Sequence, residues 1–273
     1  MGSQGPSEKE ILLDAIAQTL GEQAIETLQP VEVQKVEDQD GEIEVPENVP
    51  ICMTQKALPR NLDNGLTDNG FTNIMVGFDS ECPRWVPGSV VKWAAWRQGF
   101  ESQEDADYAA MQLAIAAEVW NKADVGVTFE WVHLAKDATF VLSHAGNGGG
   151  TLAMAFFPNS ADLNSMLVFS GAFHPDWKPH MWKIFTHELG HVLGLRHEFA
   201  IDGLPIYNIK AEKRGAVQLG VRDPNSVMTY SPEPPEMQQS DIDSTKMFYA
   251  LRPDPSGKPP KVGFTKVVDY VPQ

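Results

Sequence analysis

Three histidines and a glutamate occur at spacings that suit a metal ion with a catalytic base beside it. Residues 187–198 have the sequence HELGHVLGLRHE, so His187 and His191 are one helical turn apart and project from the same face. Gly194 stands where the helix must stop and the chain turn, which allows His197 to return as a third ligand. Three histidine ligands leave a coordination position open for water and substrate, as catalytic zinc requires.

Glu188 follows the first histidine directly, so it is rotated by about 100° around the helix axis and acts beside the metal. We expect it to take a proton from a zinc-bound water, whose pKa zinc lowers towards about 7, and to return that proton to the leaving amine. The pattern predicts a zinc-dependent endopeptidase that hydrolyses internal peptide bonds of polypeptides. The alternative is a zinc-binding pseudoprotease or polypeptide-binding module without activity, although a binding module has no need of Glu188.

The amino-acid composition indicates which classes of binding partner suit the protein. The chain has 273 residues, with Lys+Arg 21 against Asp+Glu 37 and a formal net charge of -16, which argues against nucleic acid or an anionic membrane as partner. The N-terminus lacks the basic start and apolar run of a secretory signal, and no stretch approaches the length of a membrane span. We therefore expect a protein or peptide substrate, no nucleic acid, no membrane, and a monomer.

The chain divides into an N-terminal extension, 1–56, and a catalytic domain, 57–273. Within the extension, Ser7 to about Gln29 has apolar residues at helical spacing, and Pro30 to Pro50 is an acidic, proline-punctuated linker. The extension is a candidate propeptide or regulatory segment. Ile51 to Gly88 is rich in Asn, Asp, Gly and Pro, and we predict irregular structure there.

Hydrophobic periodicity predicts alternating strands and helices in the catalytic domain. The first long helix, Glu104 to Asn121, has Tyr108, Met111, Ile115 and Val119 on its expected apolar face. We predict the active-site helix from Pro179 and a final helix from Ser240 to Ala250. The predicted strands are 90–96, 125–131, 139–143, 151–157 and 166–169, and the glycine-rich 146–150 is a turn.

The stretch around the histidines matches the metzincin motif HExxHxxGxxH, and Glu198 after the third histidine resembles the astacin form. About thirty residues on, Ser226-Val227-Met228-Thr229-Tyr230 resembles the astacin version of the Met-turn. The resemblance implies that Met228 forms a hydrophobic floor under the zinc. It also implies that Tyr230 is a catalytic residue, a movable fourth protein ligand that swings to stabilise the oxyanion. An ordinary packed tyrosine is the alternative.

Other stretches resemble matrixins. Residues 114–132, AIAAEVWNKADVGVTFEWV, are similar to their first helix and second strand, and residues 149–158 are similar to the edge strand that holds substrate by β-augmentation. Matrixins have a histidine where this chain has Met154, so we expect one catalytic Zn²⁺, with a second structural metal in doubt. The resemblance suggests secretion, whereas the missing signal points inside the cell or to non-standard export, and the compartment stays open.

Across about 90–251 the resemblance implies an α+β fold, the metzincin or zincin-like catalytic domain. Its elements are a five-stranded mixed sheet, an active-site helix at the base of the cleft, and a small C-terminal subdomain. Ser231 to Met237 would form the wall of the specificity pocket.

Several residues have more than one interpretation. Cys52 could ligate the zinc and hold the enzyme latent, pair with Cys82, or be a free buried thiol, and its context Ile51-Cys52-Met53 does not resemble the matrixin switch PRCGxPD. An astacin-style aspartate from residues 38–47 is another latency candidate. Glu198 either has a partner beneath the cleft or is solvated beside Arg196. The remaining histidines are expected to be surface or structural residues: His133, His144, His174 and His180.

Overall fold

The computed structural model describes residues 27–28, 51–55, 75–76, 81–97, 99–204, 215–220 and 222–273. The predicted linker, Pro30 to Pro50, and most of the predicted helix, Ser7 to Gln29, lie outside these residues. The helices are α1 (Gln103–Ala123), α2 (Met181–Val192) and α3 (Gln239–Ala250). The strands are β1 (Thr27–Leu28), β2 (Ile51–Gln55), β3 (Met75–Val76), β4 (Glu81–Trp85), β5 (Val90–Trp96), β6 (Thr128–Trp131), β7 (Phe140–His144), β8 (Thr151–Phe156), β9 (Asn164–Val168), β10 (Val217–Gln218), β11 (Lys261–Val262) and β12 (Thr265–Tyr270).

Five strands form the central sheet in the order β6-β5-β7-β9-β8. The first four are parallel to one another and β8 is antiparallel to β9, so the predicted five-stranded mixed sheet and α+β class are confirmed. Two strands from residues 1–56 add to the edges of this sheet. Antiparallel β1 lies beside β5 on the same edge as β6, and parallel β2 lies on the outer edge of β8.

Helix α1 has the predicted bounds to within two residues but buries a different face. Ser102 caps its N-terminus, and its hydroxyl accepts from the backbone N–H of Asp105 at 3.0 Å. Ile115, predicted to be core, is 41% exposed, whereas the alanines of the opposite face and Trp120 are buried. Small side chains let α1 approach α2 closely, and the Trp120 indole donates to the carbonyl of Thr186 on α2 at 2.8 Å. The predicted apolar face was therefore wrong.

A second sheet, formed by β11, β12 and β4, lies outside the central one and was not predicted. Strand β12 pairs in parallel with β4 and antiparallel with β11. The stretch 51–88 contains the strands β2, β3 and β4, so the prediction of irregular structure is wrong at these three places. The buried Arg84 of β4 ties this sheet to α3, because its guanidinium forms an ion pair with Asp269 at 2.6 Å and donates to the carbonyls of Phe248 and Leu251. Thr27 and Leu28, placed in a helix by their periodicity, form a strand.

Among the described residues, no helix is long and apolar enough to cross a lipid bilayer.

The active-site helix α2 ends at a sharply defined turn. Gly194 has φ +92, and a Cβ there would lie 2.2 Å from the carbonyl oxygen of Pro83 in β4. The N–H of Leu195 returns to the carbonyl of Gly190 at 2.9 Å, which closes the helix end. Two aromatic side chains satisfy the last helical carbonyls, Trp85 donating to Val192 at 2.8 Å and Tyr249 to Leu193 at 2.9 Å.

We predict that Gly194→Ala lowers the free energy of unfolding by at least about 3 kcal/mol, because the positive φ and the overlap with a backbone carbonyl both oppose a side chain. Gly257→Ala is the matched control: φ is +80 there, but nothing lies within 4 Å of the new Cβ. The control should lose about 1 kcal/mol. Urea unfolding of the two variants measures the difference, and equal losses would contradict the close approach of β4 to the helix end.

Cys82 of β4 is a free thiol with no exposed surface, so the disulfide alternative for Cys52 and Cys82 is wrong. Burial, with a smaller contribution from the neighbouring Glu81 carboxylate, raises the pKa of the Cys82 thiol to about 12. The thiolate is the reactive species, so the folded chain should protect this side chain.

We expect iodoacetamide at pH 8 to alkylate Cys82 on the order of a thousandfold more slowly in the native protein than in urea. A Cys52→Ser background leaves Cys82 as the single thiol, and mass spectrometry follows the adduct. Equal native and denatured rates would show that the thiol is accessible.

Candidate metal centre

The structure brings the three histidines of the motif together. His187 and His191 project from α2, and His197 returns after the Gly194 turn, so that the ligand atoms of all three lie within 4.8 Å of one another. The Nε2 atoms of His191 and His197 are 2.9 Å apart. All three rings are buried. The helical spacing supplies two of these rings, and the glycine turn supplies the third.

Backbone carbonyls fix which nitrogen of each α2 ring carries the hydrogen. His187 Nδ1 lies 2.7 Å from the carbonyl oxygen of Val227, and His191 Nδ1 lies 2.7 Å from that of Leu195. A carbonyl oxygen can only accept, so the hydrogen is on Nδ1 in both rings and the Nε2 lone pair faces the cluster.

Burial also keeps the rings neutral. It lowers the pKa of His187 to about 4 and holds the pKa values of His191 and His197 well below their ordinary value, with His187 also opposing charge on both of them and His191 opposing charge on His197. A neutral imidazole offers its lone pair to a metal without first losing a proton. Three neutral imidazoles converging in a buried site form a donor set that fits catalytic zinc.

A pocket opens beside the histidines and contains Glu188. The side chain of Glu188 has no exposed surface, and Leu152 of β8 contributes to the lining of the same pocket. The predicted wall segment, Ser231 to Met237, contributes to the lining. The lining residues are Leu152, Lys183, Ile184, His187, Glu188, Thr229, Tyr230, Ser231, Pro234 and Pro235.

The Met-turn residues Met228 and Tyr230 border α2 and the histidine cluster. Met228 is fully buried, and a Cβ added at Gly190 of α2 would lie 2.3 Å from its sulfur, so the methionine packs directly beneath the helix. The Tyr230 hydroxyl lies 3.2 Å from His197 Nε2. Tyr230 is 8% exposed and thus borders both the histidine cluster and the pocket.

Glu198 is buried and has a hydrogen-bond partner, so its interpretation as a solvated carboxylate is wrong. It is 5% exposed, and its Oε1 accepts from the backbone N–H of Asp223 at 2.6 Å. Its own N–H donates to the carbonyl of Met228 at 2.9 Å. The residue after the third histidine therefore joins that segment to the Met-turn.

Sequence reasoning missed Lys183. Its side chain lines the pocket at 9% exposure, and its ammonium forms ion pairs with Glu233 at 3.1 Å and Glu236 at 3.2 Å. These contacts raise the pKa of Lys183 although burial opposes them. The sequence could have indicated this position, because Lys183 precedes His187 by one helical turn and therefore lies on the same face of α2.

The other four histidines lie outside the cluster. His144 bonds to the carbonyl of Gly99 at 2.7 Å and contacts the Ser170 hydroxyl at 3.1 Å. His174 lies 3.4 Å from Asp176, and His133 packs edge-on against Trp131. His180 immediately precedes α2.

Comparison with known proteins agrees with this architecture. A search of curated proteins finds no match to the chain. The matrixin family model matches residues 92–230, from β5 through the Met-turn. This match is to the matrixin branch, and the astacin likeness of Glu198 and Tyr230 remains a resemblance of those residues alone. Because the matched span covers half of the chain and contains the whole histidine cluster, the protein belongs to the matrixins, a metzincin family of zinc metallopeptidases.

Proposed function

We propose that the protein is an endopeptidase that hydrolyses internal peptide bonds of extended polypeptides. The observation that carries the proposal is the buried carboxylate of Glu188, which shares one pocket with His187 and with Leu152 of β8, whose outer edge is occupied by β2 in this structure. A peptide that added to this edge would bring its backbone alongside the base.

The roles of the side chains follow from their chemistry. Zinc held by His187, His191 and His197 would polarise a carbonyl and lower the pKa of water towards about 7. Glu188 accepts the proton of the attacking water and delivers it to the leaving nitrogen as the peptide bond breaks. The Tyr230 hydroxyl, 3.2 Å from His197, donates to the oxyanion that develops on the carbonyl and is also the candidate fourth protein ligand.

The pocket and the charge of the protein support a class of substrate. Leu152, Ile184, Pro234 and Pro235 give the pocket an apolar lining, which suits an apolar side chain next to the scissile bond. The net charge of -16 disfavours nucleic acid as an alternative partner. We propose that the enzyme acts on protein or peptide as a monomer.

A pseudoprotease is the second candidate, since the histidine cluster and the edge strand could bind zinc and polypeptide without cutting. Glu188 favours the enzyme, because neither metal binding nor strand pairing uses this carboxylate.

We predict that the zinc-loaded protein, trimmed of residues 1–56, cleaves denatured casein, and that a chelator stops it. Glu188→Ala should lower the rate by about 10² to 10⁴, because the proton-transfer group is lost while the three imidazoles stay. Glu118→Ala, which removes an exposed carboxylate on α1, is the matched control and should retain full activity. Gel and mass-spectrometric analysis of the fragments measures the cuts.

Casein cleavage that persists in Glu188→Ala would overturn the mechanism. A parent that binds zinc and casein without cutting would establish the pseudoprotease.

We further propose that residues 1–56 restrain the enzyme. Strand β2 pairs in parallel with the outer edge of β8, with Met53 opposite Met154 and Gln55 opposite Phe156. An edge strand accepts one partner on its open side, so β2 and an extended substrate compete for the same backbone groups. Cys52 lies within β2, which keeps it a candidate for the ligand that holds the enzyme latent.

Removing residues 1–56 should raise kcat/KM on casein roughly tenfold or more, because a tethered strand competes at an effective concentration in the millimolar range. A full-length variant with Met53→Pro and Thr54→Pro is the matched test, since proline removes the N–H groups that the pairing needs. The kcat/KM of this variant on casein should also rise. Thermal unfolding confirms that both proteins are folded, and unchanged rates in both would remove the proposed restraint.

A further inference from the structure

A buried carboxylate lies beneath the Met-turn, away from the pocket. Asp241 belongs to the first turn of α3 and has no exposed surface. Its two oxygens accept three hydrogen bonds: from the Ser226 hydroxyl at 2.5 Å, the Val227 N–H at 2.9 Å, and the Gln238 N–H at 2.7 Å. The bond from Gln238 belongs to the capping box of α3, whereas the bonds from Ser226 and Val227 connect Asp241 to the Met-turn.

A continuous chain of hydrogen bonds joins this carboxylate to a histidine of the cluster. His187 Nδ1–H donates to the carbonyl of Val227 at 2.7 Å. The N–H of the same peptide unit, that of Met228, donates to the Ser226 hydroxyl oxygen at 3.0 Å. The Ser226 hydroxyl in turn donates to Asp241 at 2.5 Å.

Every donor in the chain points away from the histidine and towards the carboxylate. Bonds aligned in this way polarise one another, and the low polarity of a buried site strengthens the effect. The negative charge of Asp241 draws the Ser226 hydrogen, which leaves the hydroxyl oxygen a better acceptor for Met228. The Val227 carbonyl then becomes a better acceptor for His187 Nδ1–H.

We propose that Asp241 is a positioning residue for the metal centre, acting on His187 through Ser226 and the peptide unit between Val227 and Met228. It fixes the ring orientation and tautomer of His187 and raises the basicity of the Nε2 atom that faces the cluster. The partners of a metal-binding imidazole commonly have this effect on metal affinity. The inference rests on the zinc site of the proposed function but not on peptide cleavage.

The test measures the zinc dissociation constant by competition with a chelating dye, together with the visible absorption spectrum of the cobalt-substituted protein. Ser226→Ala interrupts the chain and leaves the capping contact of Asp241 with Gln238 intact. We expect zinc binding to weaken by about 10- to 100-fold and the cobalt bands to shift. Asp241→Asn, which keeps the shape and removes the charge, should act in the same direction.

Thr245→Val is the matched control. Thr245 is as deeply buried on α3, and its hydroxyl donates to the backbone carbonyl of Asp241 at 2.6 Å, outside the chain. We expect its zinc affinity to stay within about twofold of the parent and its cobalt spectrum to be unchanged, even if its thermal stability falls.

The proposal would be overturned if Ser226→Ala loses stability as the control does but keeps the zinc affinity and the cobalt spectrum of the parent protein. If Asp241→Asn does not fold, Ser226→Ala decides the question alone. Zinc affinity is measured without substrate, so a parent that binds zinc but leaves casein intact would count against the proposed function and not against the role of Asp241.

Discussion

The neutrality of three buried imidazoles is the constraint on which the rest of the centre depends. Burial disfavours the charged form of each ring and so leaves the lone pairs free for a cation. The same burial makes an unpaired Nδ1–H costly, so His187 and His191 each need a carbonyl at hydrogen-bonding distance. Val227 and Leu195 supply these carbonyls from two turns that no helix or strand dictates.

The sheet formed by β4, β11 and β12 helps to meet this requirement, although it lies outside the central sheet. Leu195 can offer its carbonyl to His191 only if the chain reverses at Gly194, and that turn leaves no room for a side chain against Pro83 of β4. Strand β4 is in turn held by β12 and by the contacts of Arg84 with α3. Strands β4 and β12 thus fix the position of the surface on which the end of the active-site helix packs.

Local signals predicted the histidine cluster, Glu188 and the central strands, because each depends on spacing within one helix turn or on alternation within one strand. Strands β2 and β12 escaped prediction because their pairing partners lie far away in the chain, and the stretch around β4 is rich in turn-forming residues. The buried face of α1 differs from the predicted one because close helix packing selects small side chains, so that alanines face the core and Ile115 faces the solvent. The contacts of Asp241 with Ser226 and Val227 escaped prediction because they join segments that are separate in the chain.

One short segment, 226–237, serves both the metal and the pocket. Its beginning provides the carbonyl for His187 and the buried Met228, its middle provides Tyr230, and Pro234 and Pro235 line the pocket. Asp241 secures the first end through its bonds to the Met-turn, and Lys183 secures the other through Glu233 and Glu236. Both anchors are side chains of helices, one on α3 and one on α2 itself. Because the backbone between them is continuous, the metal site and the pocket depend on one segment that is held at both ends by helix side chains.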